Sequence, residues 1–177
     1  MQKHLLLSLL AGVVMFVWGF ISWAVLPWHM SVANKFTDEA AISIALKANA
    51  PTAGIYFLPF AEEDHGPNQV GAFASVLPHG TDMNIGKLML TGVLIQILSA
   101  FIGIAIVNQT NKTDIVSIVS VFALIGLAVG FVSHAPYWNW FGFSTSYVLV
   151  VIADTLITWI LAGLAVSKFL KTPKNLF

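Results

Sequence analysis

With 177 residues, 58% of them hydrophobic and only 9% charged, the chain falls outside the composition of an ordinary soluble domain and is read as a single membrane-embedded domain. Its formal net charge is zero and every basic residue is a lysine, so neither a nucleic-acid groove nor a broad anionic-lipid patch has a source of charge. The absence of cysteine excludes disulfides and thiolate metal sites.

Residues 5–26 form an apolar run long enough to cross a hydrocarbon core of ~30 Å, which takes about 20 helical residues. The run is too long for a signal peptide and no small-residue cleavage site follows it, so it is expected to be the first span. Pro27 ends it, and Trp28 stands where an interfacial anchor belongs.

The long loop that follows, residues 27–84, holds six of the eight acidic residues and three of the five histidines. Thr37 is the expected N-cap of a short helix. Asp38 and Glu39 suit its positive end, Lys47 its negative end, and Pro51 stops it. Its apolar residues Ala41, Ile42, Ala45 and Leu46 would rest on lipid or on the loop's own core. Two β-like runs, GIYFLP at 54–59 and VGAFASVLP at 70–78, are separated by an acidic turn containing Gly and Pro and predict a hairpin.

Three more spans are expected at residues 85–107, 115–132 and 146–167. Lys3, Lys112, Lys168, Lys171 and Lys174 lie on one side of them, and Lys35, Lys47 and Lys87 on the side with far more loop. The positive-inside rule then puts both termini in the cytoplasm and the long loop outside. Small residues four apart recur in the spans, at Ser8 and Gly12, Ser99 and Gly103, Gly126 and Gly130, and Gly163 and Ser167. Such pairs let helix backbones approach closely in lipid. The expected fold is therefore all-α: a four-helix transmembrane bundle with an extracytoplasmic cap, made of a short helix and a β-hairpin, between spans 1 and 2.

SWAVLPWH at 22–29, GIYFLP at 54–59 and SHAPYWNWFGF at 133–143 together resemble a family of small bacterial four-span membrane proteins with no assigned activity. The resemblance covers nearly the whole chain. It implies a multi-pass protein of the bacterial inner membrane with the large loop outside, and brings no cofactor or catalytic residue with it.

Three groups of residues could carry chemistry. Asp154 is the one acid within the spans; counted from Ser146 at ~1.5 Å per residue it lies about 12 Å deep. Similar counts from Lys87 and Pro27 put Gln96 and Trp18 in the same layer, so an indole donor, an amide and a carboxylate could satisfy one another. That layer reads either as a polar clasp between helices or as a proton or ion relay. The second group is His29, His79 and His134, all expected near the outer end of the bundle. With Asp82 they would suit zinc or copper, although no pair has a recognised ligand spacing. The third is an aromatic set on the same side, Trp28, Tyr137, Trp138, Trp140, Phe141 and Phe143. It forms a headgroup belt, or a surface for a partner protein, a lipid or a hydrophobic ligand.

No hydrolase elbow, phosphate loop, haem motif or dinucleotide fingerprint occurs in the chain. The expectation is thus a non-enzymatic accessory or interaction protein in the lipid bilayer, whose extracytoplasmic cap contacts a partner protein, a lipid or a hydrophobic ligand, the candidate partners being another membrane protein or a second copy of the chain. The alternative is a zinc- or copper-binding or proton-coupled protein using the outer-side histidines or Asp154.

Overall fold

The computed structural model describes residues 2–60, 66–80 and 84–170. In chain order, α1 (Gln2–Phe20) runs into a π-helical turn (Ile21–Val25), then come α2 (Trp28–Ser31), α3 (Glu39–Asn49), β1 (Gly54–Leu58), β2 (Ala72–Val76), α4 (Ile85–Gln109), α5 (Ile115–Phe141) and α6 (Thr145–Ser167). The chain divides into two compact units, one of Met1–Ala33 with Asn84–Phe177, the other of Asn34–Met83.

The first unit is the bundle. Its four long apolar helices, α1 with the π turn, α4, α5 and α6, have 23 to 27 residues each, enough at ~1.5 Å per residue to exceed a ~30 Å hydrocarbon core. Their outward faces are apolar too: Leu6, Leu94, Leu98, Val116, Leu124, Phe131 and Leu149 are all exposed. A surface of this kind is stable in lipid and not in water. α1 packs against α4 and α6, and α6 against α5, whereas α4 and α5 share the smallest contact of the four.

Glycines set how closely these helices approach. A Cβ on Gly12 would lie 2.5 Å from the Ile97 backbone, so the main chains of α1 and α4 approach closely there. A Cβ on Gly103 would lie 2.5 Å from the Trp159 ring and one on Gly126 2.7 Å from Trp159 Cβ, so the largest core residue of α6 is held between α4 and α5. Gly163 in turn makes room for Phe122. Leu7, Ala11 and Met15, Ala100, Ile104 and Val107, Ile118 and Phe122, and Ala162 and Val166 complete a continuous apolar core.

Side chains mark the helix starts. Asn84, Asp114 and Ser144 each accept a hydrogen bond from the backbone N–H three residues on, at the heads of α4, α5 and α6. α5 departs from expectation. It does not end near residue 132 but continues through His134 and Pro136 to Phe141. Proline removes one N–H, which a long membrane helix tolerates. The stop comes instead from Gly142, whose left-handed backbone (φ 68°) turns its N–H back onto the Tyr137 carbonyl.

The second unit holds α3 and the hairpin. Asp38, not Thr37, caps α3, its carboxylate accepting from the Ala41 N–H at 2.9 Å. An ionised side chain also suits the positive end of the helix dipole. β1 and β2 pair antiparallel with Tyr56 opposite Ala74 and Phe57 opposite Phe73. The rings of that last pair have centroids 5.0 Å apart. The acidic turn at 61–65 lies outside the described residues.

Candidate functional site

One end of α1 is irregular, and the irregularity builds a site. In the π turn the Leu26 N–H reaches the Ile21 carbonyl at 2.9 Å rather than that of Ser22. The residue five beyond Ser22 is Pro27, which has no N–H to offer. Ser22's carbonyl is therefore left without a helical donor, and the indole of Trp28 fills the gap at 3.1 Å. Pro27 then starts α2, whose second residue, His29, is folded back into the bundle and is 1% exposed.

His29 meets Asp154 there. Asp154 is 9% exposed, and its carboxylate has three polar contacts: Trp18 Nε1 donates to Oδ1 at 2.7 Å, Ser22 Oγ donates to Oδ1 at 2.8 Å, and His29 Nε2 lies 3.2 Å from Oδ2. Ser22, fully buried, is the hub. Its Oγ also lies 3.0 Å from His29 Nε2 and accepts from Trp28 Nε1 at 3.0 Å. Aromatic rings wall the imidazole. Trp23 stacks on it with centroids 3.8 Å apart and planes 9° from parallel, and Trp28 meets it edge-on at 5.3 Å. His29 Nδ1 is buried and has no partner among the described residues.

Trp18 and Asp154, placed in one layer by residue counting, are thus directly bonded. Gln96 is half-buried on α4 and supplies none of the carboxylate's bonds. Of the three histidines grouped for metal, His29 directs Nε2 at Asp154 and Ser22. His134 donates from Nδ1 to the Gly130 carbonyl at 2.9 Å, and His79 is exposed in the other unit. Asp82 lies outside the described residues. Among the described residues no group of three or more histidine or acidic side chains is arranged to hold a metal ion.

The aromatic set also separates. Trp28 is turned inward as a donor to Ser22, whereas Trp138 and Trp140 are exposed near the end of α5, the former donating to Thr145 Oγ1 at 3.1 Å. Tyr137 packs against Phe141 and Phe143 with centroids 5.8 and 5.3 Å away.

Serine, histidine and aspartate in contact suggest a hydrolase triad, but the geometry is different. A triad uses Nε2 for the serine and Nδ1 for the carboxylate. Here both meet Nε2, and the serine hydroxyl is wholly buried. What the arrangement can do is hold and move protons, since an imidazole and a carboxylate share a water-poor site with a hydroxyl between them.

No family model, curated protein or solved structure matches the chain. The likeness seen in SWAVLPWH, GIYFLP and SHAPYWNWFGF therefore assigns no family. Two of the motif's own residues, Ser22 and His29, nevertheless lie at the centre of the site.

Proposed function

We propose that this is a proton-responsive membrane protein whose buried His29–Asp154 pair takes up and releases a proton. The observation that carries this reading is the 3.2 Å contact between two titratable side chains, both buried, at the end of a transmembrane helix. Among the described residues the only other ion pair is the exposed Lys35–Glu39 pair, so no lysine neutralises the carboxylate. Histidine is the side chain that changes charge between about pH 5 and 8. A proton path across the bilayer needs further ionisable groups, and the spans contain no second acid. The reading is accordingly a sensor or coupling subunit served from one face of the membrane rather than a transporter. The lysine distribution favours the extracytoplasmic face, in a bacterial inner membrane.

The test is histidine nitrogen resonance together with infrared carboxyl bands, recorded on the reconstituted protein from about pH 8 to 5. The reading expects a change of protonation at His29 or Asp154, removed or moved in Asp154→Asn. If both groups keep one protonation state throughout, it is wrong.

A second reading, an accessory protein with a docking surface, is favoured by the exposed indoles of Trp138 and Trp140. A partner subunit that co-purifies in mild detergent and is lost when both become alanine would support it; retention of the partner would refute that surface.

A further inference from the structure

We infer that Ser22 is the proton bridge between His29 and Asp154, and that His29 Nδ1 is the atom at which a proton enters. The inference rests on the proton-site reading above and specifies the route within that site.

A serine hydroxyl has one hydrogen and two lone pairs. Ser22 Oγ has three neighbours: Trp28 Nε1 at 3.0 Å, His29 Nε2 at 3.0 Å and Asp154 Oδ1 at 2.8 Å. The indole N–H only donates, so it takes one lone pair. That leaves one hydrogen and one lone pair for the imidazole and the carboxylate, and the hydroxyl must donate to one while accepting from the other. Both arrangements satisfy every contact of the hydroxyl.

With the carboxylate ionised, Nε2–H donates to Oγ and Oγ–H donates to Oδ1. His29 is then neutral with a lone pair at Nδ1, the buried atom that has no partner. A proton arriving at Nδ1 makes the ring an imidazolium. The N–H bond at Nε2 can then break as an O–H bond forms on Ser22, while the original Ser22 O–H bond breaks and a new O–H bond forms at Oδ1. Two protons move and one is carried in net. The products are a neutral imidazole protonated at Nδ1 and a neutral carboxylic acid, with serine regenerated. The direct alternative, Nε2 to Oδ2, spans 3.2 Å, longer than the ~2.7–2.9 Å usual for a charge-assisted bond. Both legs of the serine route are shorter. Among the described residues the titratable groups meeting here are His29 of α2 and Asp154 of α6; α1 contributes Trp18, and the π turn contributes Ser22 and the ring of Trp23.

Ser22→Ala removes the bridge without stranding Trp28, whose N–H keeps the Ser22 main-chain carbonyl at 3.1 Å. The experiment is a pH jump on the reconstituted full chain. It follows the carboxylic acid band of Asp154, identified by its absence in Asp154→Asn, in mixtures of H2O and D2O. The wild-type protein is expected to form the band with a curved dependence of rate on deuterium fraction, as two protons in flight require. Ser22→Ala is expected to slow it by about 10²-fold, the scale of one positioned proton-transfer group, with a linear dependence. Ser22→Cys, which keeps a weak donor of similar size, should fall between. Equal rates and equal deuterium dependence in wild type and Ser22→Ala would overturn the bridge. So would protonation of His29 in wild type with no carboxylic acid band. No protonation change at either residue would instead overturn the proton-site reading itself.

Discussion

Replacing Asp154 tests whether its three hydrogen bonds hold α6 to the end of α1, because two substitutions leave different groups unpaired. In Asp154→Asn the amide oxygen can still accept from Trp18 Nε1 and Ser22 Oγ, and the amide N–H can donate to His29 Nε2 in its other neutral tautomer. The three contacts of residue 154 survive, and only the Ser22–His29 contact is left without a hydrogen. The expected loss of stability is within about 1 kcal/mol. Asp154→Leu removes all three bonds, each worth about 0.6 kcal/mol on average in a membrane, or about 2 kcal/mol together. Ser22 and His29 can still bond each other at 3.0 Å, but the Trp18 N–H has no other partner among the described residues and adds the cost of a stranded donor, about 1–3 kcal/mol. The total expected for leucine is roughly 3–5 kcal/mol.

The assay is reversible unfolding in mixed micelles near neutral pH, followed by helical circular dichroism. A control comes from Gln96, which supplies none of the three bonds: Gln96→Leu should shift stability by less than about 1 kcal/mol. If leucine and asparagine at position 154 are equally stable, the carboxylate does not hold these helices together. The geometry described for Trp18, Ser22 and His29 would then be wrong.

Gly12→Ala should destabilise the bundle by about 1–3 kcal/mol in the same assay, since its Cβ would meet the Ile97 backbone, while Gly19→Ala, with nothing within 4 Å, should not. The Asp114 carboxyl is held below its usual range, first by the hydrogen bond with the Ser117 side chain and then by the Ser117 backbone N–H. Its contribution to the start of α5 is therefore present above the unfolded value, near pH 4, and lost as pH falls through the lower folded value. Asp114→Asn should remove that acid dependence from the unfolding midpoint and keep the cap. Because the chain has no cysteine, single substitutions report sidedness cleanly: His79→Cys should react with an impermeant maleimide in intact cells, and Lys112→Cys only after lysis. The reverse pattern would place the His29–Asp154 site at the cytoplasmic face.

Much of the bundle was legible because lipid imposes simple rules. Four apolar runs of about 20 residues read as helices, since a single segment satisfies its own backbone in hydrocarbon only as a helix, and small residues four apart marked where α1, α4, α5 and α6 could close up. The end of α5 was not legible from the hydropathy of residues 133–141. Interfacial aromatics read as loop there, and the true stop depended on a positive φ at Gly142.

The site was half legible for a more specific reason. Counting ~1.5 Å per residue from a helix end puts Trp18, Gln96 and Asp154 in one layer, and of these the structure joins Trp18 to Asp154, both in regular α-helix. It failed for His29, which follows a π turn and a proline and which counting placed at the bundle's outer end. The wide turn diverts the Leu26 N–H, Pro27 supplies none, and the chain reverses so that His29 comes back to the depth of Asp154. Ser22 was overlooked for the same cause, as a small polar residue near the end of an apolar run. A signal was present in the order of SWAVLPWH: with a proline five residues on, the Ser22 carbonyl loses its donor once the helix widens and the Leu26 N–H goes to Ile21, and the residue after the proline is an indole able to provide one. Main-chain carbonyls left without a donor by proline are thus places where a membrane helix must recruit a side chain. In this chain that recruitment seats Trp28 on Ser22 and brings its neighbour, His29, onto the one acid within the spans.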